Sequence, residues 1–183
     1  MPRIFKSLLL CFSLAALNLP AQAAAPDTAT VSFHTYGLVR GGGDAPRALV
    51  AKRWHIEYVT VAGCLVTEEL VDSAHKHNAR TEAILGRRHG TEWRKKFDAE
   101  VAAEATRQKA ITSRLDSSAE IKALRTKLKN DYNTPWYQFS FDERSRMYVV
   151  DVKTWDKKTG DYRTQYVLTA GLNKWELLPA GKG

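Results

Sequence analysis

Residues 136–179 read WYQFSFDERSRMYVVDVKTWDKKTGDYRTQYVLTAGLNKWELLP, and this stretch decides the fold. Tyr137, Phe139 and Phe141 alternate with polar residues, which is the period of a half-buried strand. Asp142-Glu143-Arg144-Ser145 turns the chain and Met147 to Trp155 runs back. Asp156 to Asp161 then reads as a four-residue hairpin loop with Gly160 placed for positive φ. Tyr162 to Thr169 returns, Gly171-Leu172-Asn173 turns again, and Lys174 to Leu178 forms the last strand. Four consecutive strands with short connections make an antiparallel meander.

Upstream of the meander the period changes from two to about 3.6. Thr67 is placed to cap a helix that carries Glu68 and Glu69 in its first turn and sets Leu70, Ala74, His77, Thr81 and Ile84 on one face. A second helix from Thr91 buries Trp93, Phe97 and Val101, with Ala105, Ile111 and Leu115 continuing the stripe. Ser117 and Glu120 have capping-box spacing, opening a third helix that packs Ile121, Leu124 and Leu128.

Nearer the start, Thr28 to Val39 reads as a strand, and Gly41 to Pro46 reads as a loop with no clear helix after it. Trp54 to Val66 reads as a second strand with Cys64 on its inner face and a bulge at Gly63. Together these elements predict an α+β fold: a curved antiparallel sheet, made of the four-strand meander plus the N-terminal strands, packed against about three helices.

The first residues predict export. Arg3 and Lys6 precede the apolar run Leu8 to Leu19, which is too short to span a bilayer, and Ala21-Gln22-Ala23 supplies a small-x-small cleavage site before Ala24. Residues 1–23 are thus expected to be a cleavable signal peptide and residues 24–183 a single α+β domain, periplasmic or secreted, with no transmembrane segment. Cys11 sits inside the apolar run rather than after it, so a lipid anchor is not expected.

The 28 basic and 20 acidic residues give a formal charge of +8, and loss of Arg3 and Lys6 leaves +6. In a bacterial envelope such a chain meets an envelope protein, an anionic glycan or a lipid headgroup, and not nucleic acid. Cleavage also removes Cys11, leaving Cys64 unable to form an intramolecular disulfide. Flanked by apolar residues, Cys64 reads as a small buried hydrophobe, with a reactive thiol as the other reading.

Candidates for chemistry are few. Glu68, Asp72 and His75 share a helix face and are the sharpest metal candidates, although such spacing is ordinary on solvated helices. Cys64 with His34, His55 or His75 would be needed for thiol hydrolysis, and there is no Gly-x-Ser-x-Gly elbow. The Gly41-Gly42-Gly43 run lacks the Gly-Lys-Ser/Thr ending of a phosphate loop, so no cofactor is implied. Lys122, Arg125 and Lys129 form a basic helix stripe that a solvated face would also explain.

In the meander, alternation places Trp136 and Trp155, beside Lys153 and Arg163, on the face away from the core. The expectation is therefore a non-catalytic binding or accessory protein of the envelope that uses Trp136, Trp155, Lys153 and Arg163 as anchors for an anionic or protein partner. A metal- or thiol-dependent periplasmic hydrolase and a small-ligand-binding cone-shaped domain are the alternatives.

Overall fold

The computed structural model describes residues 29–37, 45–63, 65–128 and 134–181. The signal segment, the glycine run at 41–43, Cys64 and Lys129 lie outside the described residues. In chain order the elements are β1 (Val31–Tyr36), α1 (Ala45–Arg53), β2 (Ile56–Ala62), α2 (Glu68–His89), α3 (Trp93–Ser117), α4 (Ala119–Leu128), β3 (Trp136–Asp142), β4 (Met147–Asp156), β5 (Asp161–Ala170) and β6 (Trp175–Pro179). The fold is α+β.

The meander forms as its alternation dictates, in the order β3-β4-β5-β6 with every pair antiparallel. On β4, Tyr148, Val150, Val152 and Thr154 are buried and their neighbours are less so, the mark of a strand with one face on a core. Gly160 takes a φ of +67° in the β4–β5 turn, a conformation open to glycine without a Cβ clash. A bulge at Gln165 lets Val152 pair with Tyr166 while Lys153 pairs with Thr164. Leu115 of α3 and Ile121 and Leu124 of α4 close over Val150, Val152 and Leu168, forming the larger core.

The N-terminal strands do not extend this sheet, contrary to the sequence reading. They pair with each other, in parallel, as a separate two-stranded sheet. The reason is α1, which begins at the end of the expected loop, where no clear helix was expected to follow. Pro46 sits in its first turn, where a missing N–H costs nothing, and a helix between two strands brings the second back in the same direction. Among the described residues there are accordingly four helices rather than about three. β2 also stops at Ala62 instead of running to Val66, and Leu65 is 93% exposed. The irregularity expected at Gly63 falls at Val61, which is skipped between the pairs Thr35–Thr60 and Tyr36–Ala62.

A sheet of two strands leaves β1 with an open edge, and α2 closes it with side chains. Asn78 Oδ1 accepts from His34 N at 2.8 Å while its Nδ2 donates to His34 O at 2.9 Å, as a neighbouring strand would. Thr81 Oγ1 donates to Ser32 O at 2.7 Å, and His77 Nε2 lies 3.0 Å from the same oxygen with its ring stacked 3.7 Å from that of His34. Thr67 caps this helix, accepting from Leu70 N at 3.4 Å.

α3 joins the two halves. At 1.5 Å per residue it is roughly 37 Å long. Its Trp93, Phe97 and Val101 complete a second core with Val31, Val50, Ile56 and Leu85, while Ile111 and Leu115 belong to the first. Between them the stripe turns polar: Glu104 and Gln108 are buried, and Ala105, expected on the stripe, is exposed. The cap of α4 is likewise one residue later than the sequence suggested. Ser117 remains in α3, donating to Ser113 O at 2.8 Å, and Ser118 Oγ accepts from Ile121 N at 3.3 Å.

Asn78→Ala should cost about 1–2 kcal/mol, because two backbone groups of β1 lose their partner. Urea unfolding measures the loss and amide exchange locates it at His34; unchanged protection there would remove Asn78 from this role.

Candidate functional site

Register assigns the side chains of the meander to its two faces. Trp136 lies opposite Lys153 and Trp155 opposite Tyr162, all on the face away from the helices. Three rings meet there: Trp136 and Tyr162 with centroids 5.3 Å apart, Trp155 and Tyr162 edge to face at 5.2 Å. Lys153 Nζ stands 5.9 Å from the centre of the Trp136 ring, a cation–π contact. Trp155 is 40% and Tyr162 48% exposed, so these rings pack on one another and still face solvent.

Of the four residues expected on this face, Trp136, Trp155 and Lys153 lie together on it and Arg163 does not. Arg163 pairs in register with Thr154, on the helix-facing side at the end of the sheet, and its Nε is 2.7 Å from Asp156 Oδ2. Tyr162, not singled out from sequence, takes its place at the centre of the cluster. By register the outer face also carries Asp142, Asp151 and Glu176, so the basic character of the chain does not reside there.

Glu68, Asp72 and His75 are all exposed on α2, and among the described residues no group of three or more His, Cys, Asp or Glu side chains is placed to hold a metal ion. His77 borders the core and bonds to β1. On the basic stripe, Arg125 is engaged by Asp116 at 2.8 Å, whose carboxylate also accepts from the Tyr137 hydroxyl. Burial, together with that carboxylate, pushes the Tyr137 phenol up to about 12.

The charge that the fold does bury is Glu104, with no exposed surface. Tyr148 donates to it at 2.9 Å, Gln108 Nε2 and Arg107 at 3.0 Å, and Arg53 at 3.3 Å. Burial would raise its pKa, but the hydrogen bonds from Gln108, Arg107 and Tyr148 outweigh it and hold the carboxyl below its usual value. The bond to Glu104 in turn raises the Arg107 guanidinium. Sealed from solvent and clamped by two guanidiniums, this carboxylate ties α1, α3 and β4 together.

Beside this anchor a cleft of about 380 Å³ opens between α3 and the end of the sheet, lined by Arg107, Ile111, Arg114, Arg146, Tyr148 and Trp175 among others. A wider hollow of about 690 Å³ adjoins it, sharing Arg107, Arg146 and Tyr148 and adding Arg53 and Lys174. Among the described residues no carboxylate lines either. Arg114 lies over the Trp175 ring at 4.0 Å. Arg146 has φ +53°, a left-handed conformation that costs a non-glycine residue about 1 kcal/mol, and it has no partner among the described residues. Gly171 permits the two turns that border the cleft to touch: a Cβ there would come within 3.0 Å of Met147 Cγ.

No protein-family model matches this chain, and neither a curated protein nor a solved structure does.

Glu104→Gln should destabilise the protein by about 1–2 kcal/mol at neutral pH, because Arg53 and the half-exposed Arg107 lose their counter-charge, a loss that solvent partly screens. A carboxyl held low in the folded state stabilises above its unfolded pKa, and this contribution is lost as pH falls through the folded value. Urea midpoints followed from pH 7 to pH 3 should therefore fall less steeply for the variant than for the parent; parallel curves would remove Glu104 as the source.

Proposed function

We propose that this chain is an exported, non-catalytic accessory protein of the bacterial envelope that binds a protein partner through the outer face of its four-stranded sheet. The observation that carries this reading is the cluster Trp136–Tyr162–Trp155 with Lys153, whose rings face solvent on the side of the sheet opposite the core. Exposed tryptophan and tyrosine give large contact area at little entropic cost, and they dominate the energetics of protein interfaces. Lys153 is positioned to meet a carboxylate at the rim of such a contact, and Arg163, held by Asp156, stands at the end of the same sheet.

Export supports the same reading. The charged start, the apolar run to Leu19 and the Ala21-Gln22-Ala23 site fit a leader cleaved before Ala24, giving a periplasmic or secreted product. No helix among the described residues is long and apolar enough to cross a membrane.

A photo-crosslinking amino acid placed at Gln138 or Thr164, on the outer face, should join the protein to one discrete partner in intact cells, and the same group at Lys122 on α4 should not. Trp155→Ala should abolish the adduct with little change in the unfolding midpoint. Equal adducts from both faces, or an adduct that survives Trp155→Ala, would refute the reading. N-terminal sequencing of the periplasmic fraction tests export separately, with Ala24 the expected first residue.

A further inference from the structure

The cleft between α3 and the end of the sheet lies apart from the outer face. We infer that it takes an anionic amphiphile: a phosphate or carboxylate head held by Arg146 and Arg114, with an apolar body laid against Ile111, Trp175 and Leu172.

Three observations converge on this ligand. First, the charge is one-sided. Five cations line the two adjoining hollows, and the carboxylates that engage them, Glu104 and Glu176, neutralise only part of that charge. Second, the cation at the mouth is poised rather than paired. Arg146 stands in a left-handed turn position that suits glycine, with no partner among the described residues, and the Arg114 guanidinium carbon lies 4.0 Å over the Trp175 ring with no carboxylate partner among the described residues. Third, the walls and rim are apolar. Tyr148, Trp175 and Ile111 line the cleft, and Leu172 at its lip is fully exposed on a turn flanked by basic groups. A simple inorganic anion leaves those walls unused, and a neutral lipid leaves the guanidiniums unused. The Glu104 network keeps the site in shape by fixing Arg107 and Tyr148, two of its lining residues, so that the outer cations meet the ligand without rearrangement of the floor.

Calorimetric titration of the protein with monomeric decyl phosphate, below its micellar concentration, tests the inference. Saturable binding is expected at one site, at least tenfold weaker for Arg146→Gly and for Arg114→Gln, with decyl maltoside and inorganic phosphate each at least tenfold weaker than decyl phosphate. Arg146→Gly puts glycine where the backbone favours it, so its urea midpoint should hold or rise, and lost binding cannot be ascribed to unfolding. Equal affinity for decyl maltoside, or decyl phosphate binding unchanged in both variants, overturns the inference. Co-sedimentation with vesicles distinguishes the source of the amphiphile. Binding to phosphatidylglycerol but not phosphatidylcholine vesicles, lost in Arg146→Gly and Leu172→Ser, assigns a bilayer lipid; uptake of decyl phosphate without vesicle binding assigns a free amphiphile. Vesicle binding that persists in both variants without uptake of decyl phosphate overturns it. All variants keep the same N-terminus, so the comparison reads the cleft alone.

Discussion

The carboxylate of Glu104 is the constraint on which the rest of the structure depends. One helix, α3, serves two apolar cores, and Glu104 sits at the waist between them, where it draws Arg53 from α1 and Tyr148 from β4 to a single point. Apolar packing alone would let the two layers slide or separate, because hydrophobic contact has little directional preference. A buried ion pair adds direction: its geometry must be met or a charge is left stranded. The cost of desolvating the group is offset by several donors, and the resulting network gives α1 and the meander a defined relation through α3.

The residues that could be singled out for chemistry or recognition lie away from this network. With the central acid committed to structure, the reactive-looking residues of the sequence are spread over surfaces: Asp72 and His75 on the exposed side of α2, the aromatic trio on the outer sheet, the arginines at the lip of a cleft. Two distinct surfaces result. The outer sheet face offers flat aromatic area with mixed charge, and the cleft offers concentrated positive charge with apolar walls. Basic residues are spread over the whole chain, and five of them line the cleft and the hollow beside it.

What was legible in the sequence is what repeats. β3 to β6 show period-two alternation over several residues each, and α2 carries both a cap and a helical-period face that includes Leu70, Ala74, Thr81 and Ile84, so their places could be read directly. α1 was not legible: it is short, buries only Val50 and Ala51, and follows three glycines, so it gives no periodic signal. The error then spread, since without α1 the N-terminal strands had no reason to be parallel. Glu104 escaped because charged residues are read as surface, although the spacing Phe97, Val101, Glu104, Gln108, Ile111 and Leu115 is that of one helix face. Of the binding candidates, Trp136, Lys153 and Trp155 followed from alternation, whereas Arg163 was misplaced by the bulge at Gln165, which shifts the parity of β5.

The closing of the β1 edge by α2 has a bearing on how the chain assembles. The meander joins neighbours over short turns and can form from local encounters. The N-terminal layer cannot. Its first strand is completed by Asn78 and Thr81, and its core by Trp93 and Phe97, all well downstream. A chain synthesised from its N-terminus must hold β1 unfinished until α2 and the start of α3 have emerged. The polar side chains of one helix thus set the earliest moment at which the first third of this protein becomes a folded object.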